Sequence, residues 1–360
     1  MTQVTTKLAV ALAAGVMAAL PAVAQEKITI NVIDGYPERS MWVKEFSNYF
    51  IPEVDKRLAE DGKYEITWNE SYGGTVVKPK GVLEGIQLGL GDIGIVTTIF
   101  HSSKLPSQAL SAVTPFVSAD AREVAKAVDE IANEYPAMRE EFAKQNQVYL
   151  TTGVVLDTYQ LFSADEVSSL EDLQGAKIAG AGMNLRYLEG IDGAAGVRGG
   201  LTDFYNMLQT GLVDHAMLWP EAAATFKISE VAPYMLETDF GAVNTKTVTA
   251  NADFWSGLPD DLKAVITEVA IDYRDHVAEV AMTRAGDARK TFVDGGGTIK
   301  EMDAAQRAAW ANSMPDIAAE WAATLDSKGQ PGSDMLRAYL AKLGADDAAL
   351  RDWSAGLATN

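Results

Sequence analysis

The sequence has 360 residues, of which 48% are hydrophobic, and a formal net charge of −20. A chain of this length suggests about two domains, and its apolar content is sufficient for packed cores. The excess of negative charge disfavours nucleic acids and anionic lipid surfaces as partners. Because the chain contains no cysteine, disulfides, thiolate catalysis and cysteine metal sites are excluded.

The N-terminal segment has the pattern of a secretory signal peptide. Lys7 precedes a continuous apolar run over 8–20, and small residues at 22 and 24 precede Gln25. The apolar run is shorter than the roughly 20 residues that span a bilayer. We therefore expect cleavage after Ala24 and export of the mature chain. Without a cysteine at the junction, we expect no lipid anchor.

The first third of the chain alternates strands and helices, as in an α/β protein. Strands are predicted at 28–33, 64–68 and 93–98, and helices at 40–51 and 81–88. The three glycines Gly89, Gly91 and Gly94 have the G-x-G-x-x-G spacing of a dinucleotide site. That motif requires a strand before it and a helix after it, whereas here a helix precedes and a strand follows. We interpret these glycines as a helix end and a turn.

Further helices are predicted along the chain, and the C-terminal third is predicted to be helical. A helix is expected at 119–135, and another follows it to 144. Further helices are expected at 259–290, at 303–325 with a break at Pro315, and at 332–342. The residues 148–158 form a long β-rich run, which we interpret as a crossover between two lobes. The helix over 259–290 exceeds 30 residues, so it should be about 45–50 Å long at 1.5 Å per residue.

The chain is organised around the stretch 174–221. A short strand ends at Gly180, a glycine loop follows, and Asn184 is placed to cap the next helix. The loop amides form a site that favours an anion. Further along, Thr202 is placed to cap a helix that ends at Gly211. The next strand ends at Trp219, where open α/β sheets place ligands.

This stretch resembles the signature of the solute-binding proteins of TRAP transporters, the extracytoplasmic receptors that deliver solutes to a membrane permease. The matching residues are Gly175, Lys177, Ile178, Tyr205, Leu208, Gln209, Thr210, Gly211 and Asp214. There are two departures. The arginine expected after Ile178 is Ala179, and the glycine expected after Asp214 is His215. In the family that arginine pairs with the ligand's carboxylate, so a different residue must take its place here.

The resemblance implies a two-lobed α/β periplasmic binding protein with a ligand cleft between the lobes and a long helix spanning both. Lobe I is expected to comprise 25–156 plus about 245–285, and lobe II 157–244 plus about 286–360. The implied function is capture of a small organic acid and its delivery to the TRAP permease. We expect a periplasmic monomer with no enzymatic activity, no cofactor, no metal, no membrane anchor and no nucleic-acid partner.

Candidate ligand-binding residues lie in loops at the ends of strands. The resemblance points to Tyr36, Thr97, Thr98, Tyr159 and Trp219, with Tyr159 standing where many relatives carry a second arginine. The chain itself adds Lys78 after the Gly73–Gly74 turn, Asn184 at the helix start, and Arg186 in its first turn. The aromatic residues could equally be core residues. Lys78 could be a surface lysine, and Arg186 could be part of an ion pair.

The missing arginines bear on the class of ligand. A guanidinium binds a carboxylate through two parallel hydrogen bonds, and neither of the two expected arginine positions carries one. We therefore expect a small monocarboxylate with an aromatic or otherwise apolar body rather than a C4-dicarboxylate. Anion binding would then rest on the loop amides near Asn184, with Lys78 or Arg186 adding charge.

Two other classes remain open at this stage, a binding protein of the ABC type and a secreted hydrolase. The chain has no G-x-S-x-G motif and no histidine pair with the spacing of a zinc site. Its histidines are His101, His215 and His276; His215 could form a buried pair with Asp214. The 50 acidic residues leave a pair of catalytic carboxylates possible. A binding protein would leave its ligand chemically unchanged, whereas a hydrolase would not.

Overall fold

The computed structural model describes residues 25–344 and 350–357. The expected signal peptide, 1–24, lies outside the described residues. Within them, no helix combines the length and apolar character needed to cross a membrane.

The described strands fall into two sheets. They are β1 (Glu26–Ile33), β2 (Tyr64–Ser71), β3 (Ile93–Thr97), β4 (Gln147–Thr158), β5 (Gln160–Ser163), β6 (Lys177–Gly180), β7 (Ala195–Arg198), β8 (His215–Leu218), β9 (Tyr234–Glu237), β10 (Ala242–Asn251) and β11 (Thr298–Glu301). The first sheet has the order β2-β1-β3-β10-β4, and the second has the order β11-β9-β5-β8-β6-β7. Both sheets mix parallel and antiparallel pairs.

The chain passes between the sheets at two strands that lie side by side. Strand β4 of the first sheet continues through Tyr159 into β5 of the second. Strand β9 returns through Phe240 and Gly241 into β10 of the first sheet. The two crossings are bonded to each other, because the Tyr159 amide donates to Gly241 at 3.2 Å and the Phe240 amide donates to Tyr159 at 3.1 Å. The β-rich run predicted at 148–158 is therefore the first crossing; no strand was predicted for the second.

Helices cover the sheets. They are α1 (Met41–Glu45), α2 (Ile51–Asp61), α3 (Val82–Gln87), α4 (Ala121–Glu134), α5 (Ala137–Ala143), α6 (Leu201–Gln209), α7 (Pro220–Thr225), α8 (Ala252–Ser256), α9 (Asp260–Asp294), α10 (Ala304–Ser313), α11 (Ile317–Asp326) and α12 (Gly332–Lys342). A π-helical segment, Phe46–Phe50, joins α1 to α2, so the helix predicted at 40–51 continues to Asp61. The predicted break at Pro315 separates α10 from α11.

The 35-residue helix α9 packs against both sheets. In the first half of α9, the Tyr273 hydroxyl donates to the Trp42 carbonyl of α1 at 2.6 Å. Near its end, Phe292 packs against Phe162 of the second sheet at 5.7 Å between ring centroids, and Arg289 donates to Glu237 at 2.6 Å. One rigid element therefore connects the two sheets, as the sequence predicted.

A buried charge cluster joins α9 to the first sheet. The Asp129 carboxylate on α4 accepts from the Arg274 guanidinium of α9 at 2.6 Å and from the Thr152 amide of β4 at 3.3 Å. The Tyr149 hydroxyl also donates to it. The side chains of Arg274 and Asp129 are only 8% and 7% exposed. Because both charges are almost fully buried, each depends on the other for compensation.

Removing Asp129 should destabilise the fold strongly. We expect Asp129→Ala to lower the free energy of unfolding by about 3–5 kcal/mol, because it leaves the Arg274 guanidinium buried with its main partner lost. Asp275→Ala is the matched control, since Asp275 contacts the same guanidinium at 2.8 Å but is 58% exposed. Its cost should stay below about 1 kcal/mol. Equal losses for the two variants in urea denaturation would contradict this assignment.

Candidate ligand-binding cavity

A cavity lies where the ends of the strands of the two sheets meet. Residues of both sheets and of their connections line it: Tyr36, Ile99, Phe100, Tyr159, Ala181, Leu201, Phe204, Met217, Trp219, Thr245 and Lys246. The predicted residues Tyr36, Tyr159 and Trp219 are thus brought together on one cavity wall, although they are far apart in the sequence.

The turn after β1 fixes the position of Tyr36. The buried Asp34 carboxylate accepts from the Tyr36 amide at 2.8 Å and from the Trp42 indole N–H at 3.1 Å. Gly35 is required between them, because a Cβ at that position would lie 2.1 Å from the backbone nitrogen of Pro79. Burial raises the pKa of the Asp34 carboxyl, and its hydrogen bonds and the nearby Lys246 oppose that rise.

Aromatic rings form a continuous wall beside this turn. The rings of Tyr36 and Trp42 meet edge to face at 4.9 Å between centroids. Trp42 lies 6.3 Å from Trp219, and Trp219 lies 5.5 Å from Tyr159. The Trp219 indole N–H donates to Glu221 at 3.3 Å. Flat rings held in this way suit an apolar or aromatic ligand.

Lys246, on β10, is the one charged side chain among the described residues that line the cavity. It is 2% exposed. Its ammonium nitrogen lies 4.3 Å from the centroid of the Trp42 ring and 5.1 Å from that of Tyr36. No described residue forms a hydrogen bond or ion pair with it. Burial lowers the pKa of Lys246 from 10.5 to about 7, and the charge of Asp34 opposes this.

Hydroxyl groups around the cavity also lack partners. Tyr36 and Tyr159 make no side-chain hydrogen bond with any described residue, and the Thr245 hydroxyl is buried without a partner in the same part of the chain. Burial raises the pKa of both tyrosines, so their hydroxyls remain protonated donors at physiological pH. The cavity therefore offers more hydrogen-bond donors than the described protein groups satisfy.

A second, more open space forms the mouth of the cavity. It shares Tyr36 and Phe100 with the inner cavity. The predicted residue Lys78 lines this mouth, as does Lys80, whose ammonium lies 5.5 Å from the Phe100 ring centroid. Asp203 faces them from the second sheet's side. The structure thus places Lys78 at the entrance rather than at the inner wall.

Arg186 does not reach this cavity. Its guanidinium forms two hydrogen bonds of 2.8 Å to Glu189 and one of 2.6 Å to Glu320. It lines a separate groove with Trp321 and Lys328. The ion-pair interpretation left open by the sequence describes Arg186, because two carboxylates already engage its charge and turn it away from the cavity.

The two helix caps predicted from the sequence, Asn184 and Thr202, are not found in the structure. Asn184 lies within a 3-10 helix, Gly182–Leu188, and its side chain accepts from the Ala181 amide at 2.8 Å. That amide is therefore not free to bind an anion. The helix α6 starts at Leu201 after Gly200, so Thr202 is not its cap.

Two further residues have buried positions near the sheets. Thr97 and Thr98 at the end of β3 have buried hydroxyls without a partner among the described residues. Thr97 is paired in register with Lys246 across β3 and β10.

His215 bonds to the Ser163 hydroxyl at 2.8 Å rather than to Asp214, so the predicted pair does not form. Among the described residues, no group of three or more histidines and carboxylates could hold a metal ion.

Comparison with known proteins identifies the family. Residues 35–324 match the family described as bacterial extracellular solute-binding protein, family 7. The chain belongs to this family.

Related proteins agree with the assignment. The C4-dicarboxylate-binding periplasmic protein of Rhodobacter capsulatus is 29% identical over 122 residues, which span 34% of this chain and 36% of that protein. A TRAP periplasmic solute-binding protein from Bordetella bronchiseptica, solved with bound (R)- and (S)-mandelate, has a TM-score of 0.78 at 20% identity and covers 88% of this chain and 99% of its own. One from Rhodoferax ferrireducens, solved with copurified benzoate, has a TM-score of 0.78 at 19% identity and covers 88% and 98%.

These findings confirm the resemblance to TRAP solute-binding proteins and the two-lobed α/β fold. Because the family consists of extracellular binding receptors, the chain is a solute-binding receptor and not an enzyme. Neither the hydrolase nor the ABC-type protein is favoured. Membership also places the receptor outside the cytoplasm and implies a membrane permease as its partner.

Sequence reasoning missed Lys246, the most distinctive residue of the receptor's cavity. The signal was present, since a single lysine interrupts the β-branched and small residues of the stretch 243–251. A lone charge in such a strand is either at an exposed edge or at a functional site. It could not be placed in the cavity without recognising the second crossing strand.

Lys246 should give the ligand-free receptor a distinctive dependence of stability on pH. Its folded-state pKa lies below the unfolded value of 10.5. Between these values the unfolded chain binds a proton that the folded chain has lost, so stability increases as pH rises. From about pH 7 to about pH 9, wild type should gain roughly 1–2 kcal/mol in unfolding free energy relative to Lys246→Met.

Urea denaturation of both ligand-free proteins across this interval measures the effect. Taking the difference between the two proteins removes contributions from groups that do not interact with Lys246. A difference that does not change with pH would show that Lys246 keeps an ordinary pKa in the fold.

Proposed function

We propose that the receptor captures a small monocarboxylate with an aromatic or otherwise apolar body and delivers it to a TRAP permease. The observation that supports this most is the single positive charge of Lys246 on a cavity wall that is otherwise aromatic, aliphatic or hydroxylic. One carboxylate can be neutralised there. A second carboxylate would be buried without a cation, which is strongly unfavourable.

The names of the relatives support this proposal and also one competing ligand class, the C4-dicarboxylates. The two solved relatives bind mandelate and benzoate, which are aromatic monocarboxylates. The curated relative is named for C4-dicarboxylates, but it aligns over only about a third of either chain. Ala179 is buried on β6, so the arginine that the family pairs with a carboxylate has no equivalent at that position.

Closure of two lobes would complete the site. We propose lobe I as 25–156 plus about 245–285, and lobe II as 157–244 plus about 286–360. Tyr36, Tyr159 and Trp219 are the proposed inner ligand contacts, and Lys78 contributes at the mouth. Thr97, Thr98 and Asn184 are proposed to support the wall and the adjoining loop rather than to bind charge.

A panel of ligands tests the proposed class by thermal shift. We expect benzoate, mandelate or pyroglutamate to raise the melting temperature, and benzamide, succinate and galacturonate to have little effect. A ligand at 100 times its dissociation constant stabilises by about 2.7 kcal/mol, which is a shift of several degrees for domains of this size. The strongest shift with succinate, or with an uncharged compound, would rule out the monocarboxylate class.

A pair of tryptophan variants locates the binding. Trp219→Ala removes part of the aromatic wall and should weaken binding of the best ligand by about 2 kcal/mol or more. Trp255→Ala, on α8, is the matched control because Trp255 packs against the core away from the cavity. It should lower the melting temperature but leave the dissociation constant unchanged. Equal affinity of both variants for the ligand would show that the ligand binds elsewhere.

We also propose that export removes residues 1–24 and that the mature receptor acts as a monomer without a membrane anchor. The sequence supports cleavage after Ala24 through its apolar run and small residues. The intact mass of protein recovered from the periplasm should equal that of 25–360. A mass that includes the first 24 residues would contradict this proposal.

A further inference from the structure

Four hydrogen-bond donors line the inner cavity without an acceptor among the described residues. They are the Lys246 ammonium and the hydroxyls of Tyr36, Tyr159 and Thr245. We propose that Lys246 binds the ligand's carboxylate, with hydrogen bonds from Tyr36 and Tyr159, and that the use of a lysine weakens capture above neutral pH. This inference rests on the proposed function, since it assumes an anionic ligand.

The position of the cation differs from that in the resembled family. The family's arginine would project from β6, where this chain has Ala179. Lys246 enters instead from β10, the second crossing strand. An ammonium is a compact charge with three rotatable donors, whereas a guanidinium presents a fixed planar fork. The ligand's carboxylate is therefore held by charge and by the two phenols, not by a planar two-point contact.

Asp34 leaves the lysine available. Both oxygens of its carboxylate already accept hydrogen bonds, one from the Tyr36 amide and one from the Trp42 indole. No ion pair forms between Asp34 and Lys246, and the ammonium rests on the Trp42 ring at 4.3 Å. Asp34 thus positions the aromatic residues and supports the charge of Lys246 from a distance.

The titratable groups that face Lys246 come from several elements. Asp34 lies at the end of β1, Tyr36 follows it, and Tyr159 faces the same cavity from the first crossing strand. Asp203 on α6 lies farther out, at the mouth. Burial keeps both tyrosines protonated. Ionised Asp34 favours the charged form of Lys246, although its own charge repels an anion. Loss of the Lys246 proton as pH rises removes the positive charge that attracts the anion.

Binding is consequently linked to proton uptake. A carboxylate in the cavity favours the charged form of Lys246, so its pKa is higher in the complex than in the free receptor. Above the free value of about 7, the neutral amine must take one proton from solvent when the anion binds. A guanidinium would remain charged over the same range, so it would show no such dependence.

The test measures binding of two probes, acetate and benzoate, by calorimetry. Acetate supplies a carboxylate with almost no body, and benzoate adds an aromatic ring. Wild-type affinity for benzoate should fall by more than about tenfold between pH 6.5 and pH 8.5. Titrations in buffers of different ionisation enthalpy should show uptake of close to one proton at the higher pH.

Two variants separate the role of Lys246 from general effects of charge. Lys246→Met should weaken benzoate binding at pH 6.5 by at least about 30-fold and flatten its pH profile. It should also fold, because it removes a buried charge. Lys44→Met, an exposed lysine on α1, is the control and should retain both affinity and pH profile. A melting curve of each ligand-free variant checks folding.

Each outcome decides the inference. A flat wild-type pH profile overturns it whether or not Lys246→Met folds, as does a folded Lys246→Met that binds benzoate with wild-type affinity. Failure of wild type to bind either probe at millimolar concentration also overturns it. The proposed function fails separately, when no monocarboxylate of the panel binds; if benzoate binds wild type and Lys246→Met equally, only the lysine assignment fails.

Discussion

The cavity of this receptor depends on two crossing strands that are bonded to each other. The hydrogen bonds between Tyr159 and the Phe240–Gly241 segment hold β4 and β10 side by side as they leave one sheet for the other. This constraint places the ends of strands from both sheets opposite each other. It also puts one cavity residue on each crossing strand, Tyr159 on the first and Lys246 on the second. A ligand bound to both would therefore contact the connection between the two sheets.

The chemistry of the cavity follows from the surroundings of Lys246, the one charged side chain among the described residues that line it. An isolated ammonium in an apolar site is unfavourable, and this one is stabilised by an aromatic face and by a carboxylate whose oxygens are otherwise engaged. The positive charge of Lys246 is therefore poorly compensated when the cavity is empty. A ligand carboxylate would supply the missing partner, so the same feature that costs stability in the free receptor contributes affinity in the complex. The net charge of −20 makes this local positive site more necessary, because long-range electrostatics do not favour an anion.

Much of the fold could be predicted from the sequence, and the reasons for success and failure are physical. The helix α9 was predicted because its apolar residues keep one helical stripe over its length, and β1 because its apolar and polar residues alternate before a turn. Strand β10 was missed because its threonines and asparagine read as polar, although all ten of its residues are buried. Burial on both faces removes the alternation that identifies a strand.

The site was predicted in part for similar reasons. Tyr36 and Trp219 follow strands directly, so their positions could be inferred from the rule that ligands bind at strand ends. The ion pair of Arg186 was left open, because Glu189 lies one helical turn away but its other partner, Glu320, lies 134 residues away. Asn184 was assigned from a general cap preference, whereas its actual partner is the Ala181 amide, which only the loop conformation reveals.

A crystal structure of the receptor with benzoate tests the central claim most directly. The account predicts a closed cleft with the carboxylate within hydrogen-bond distance of the Lys246 ammonium and the Tyr36 and Tyr159 hydroxyls, and the ring against Trp219. A carboxylate bound instead to Lys78 at the mouth, to Arg186 in its separate groove, or to loop amides with Lys246 uninvolved would contradict it.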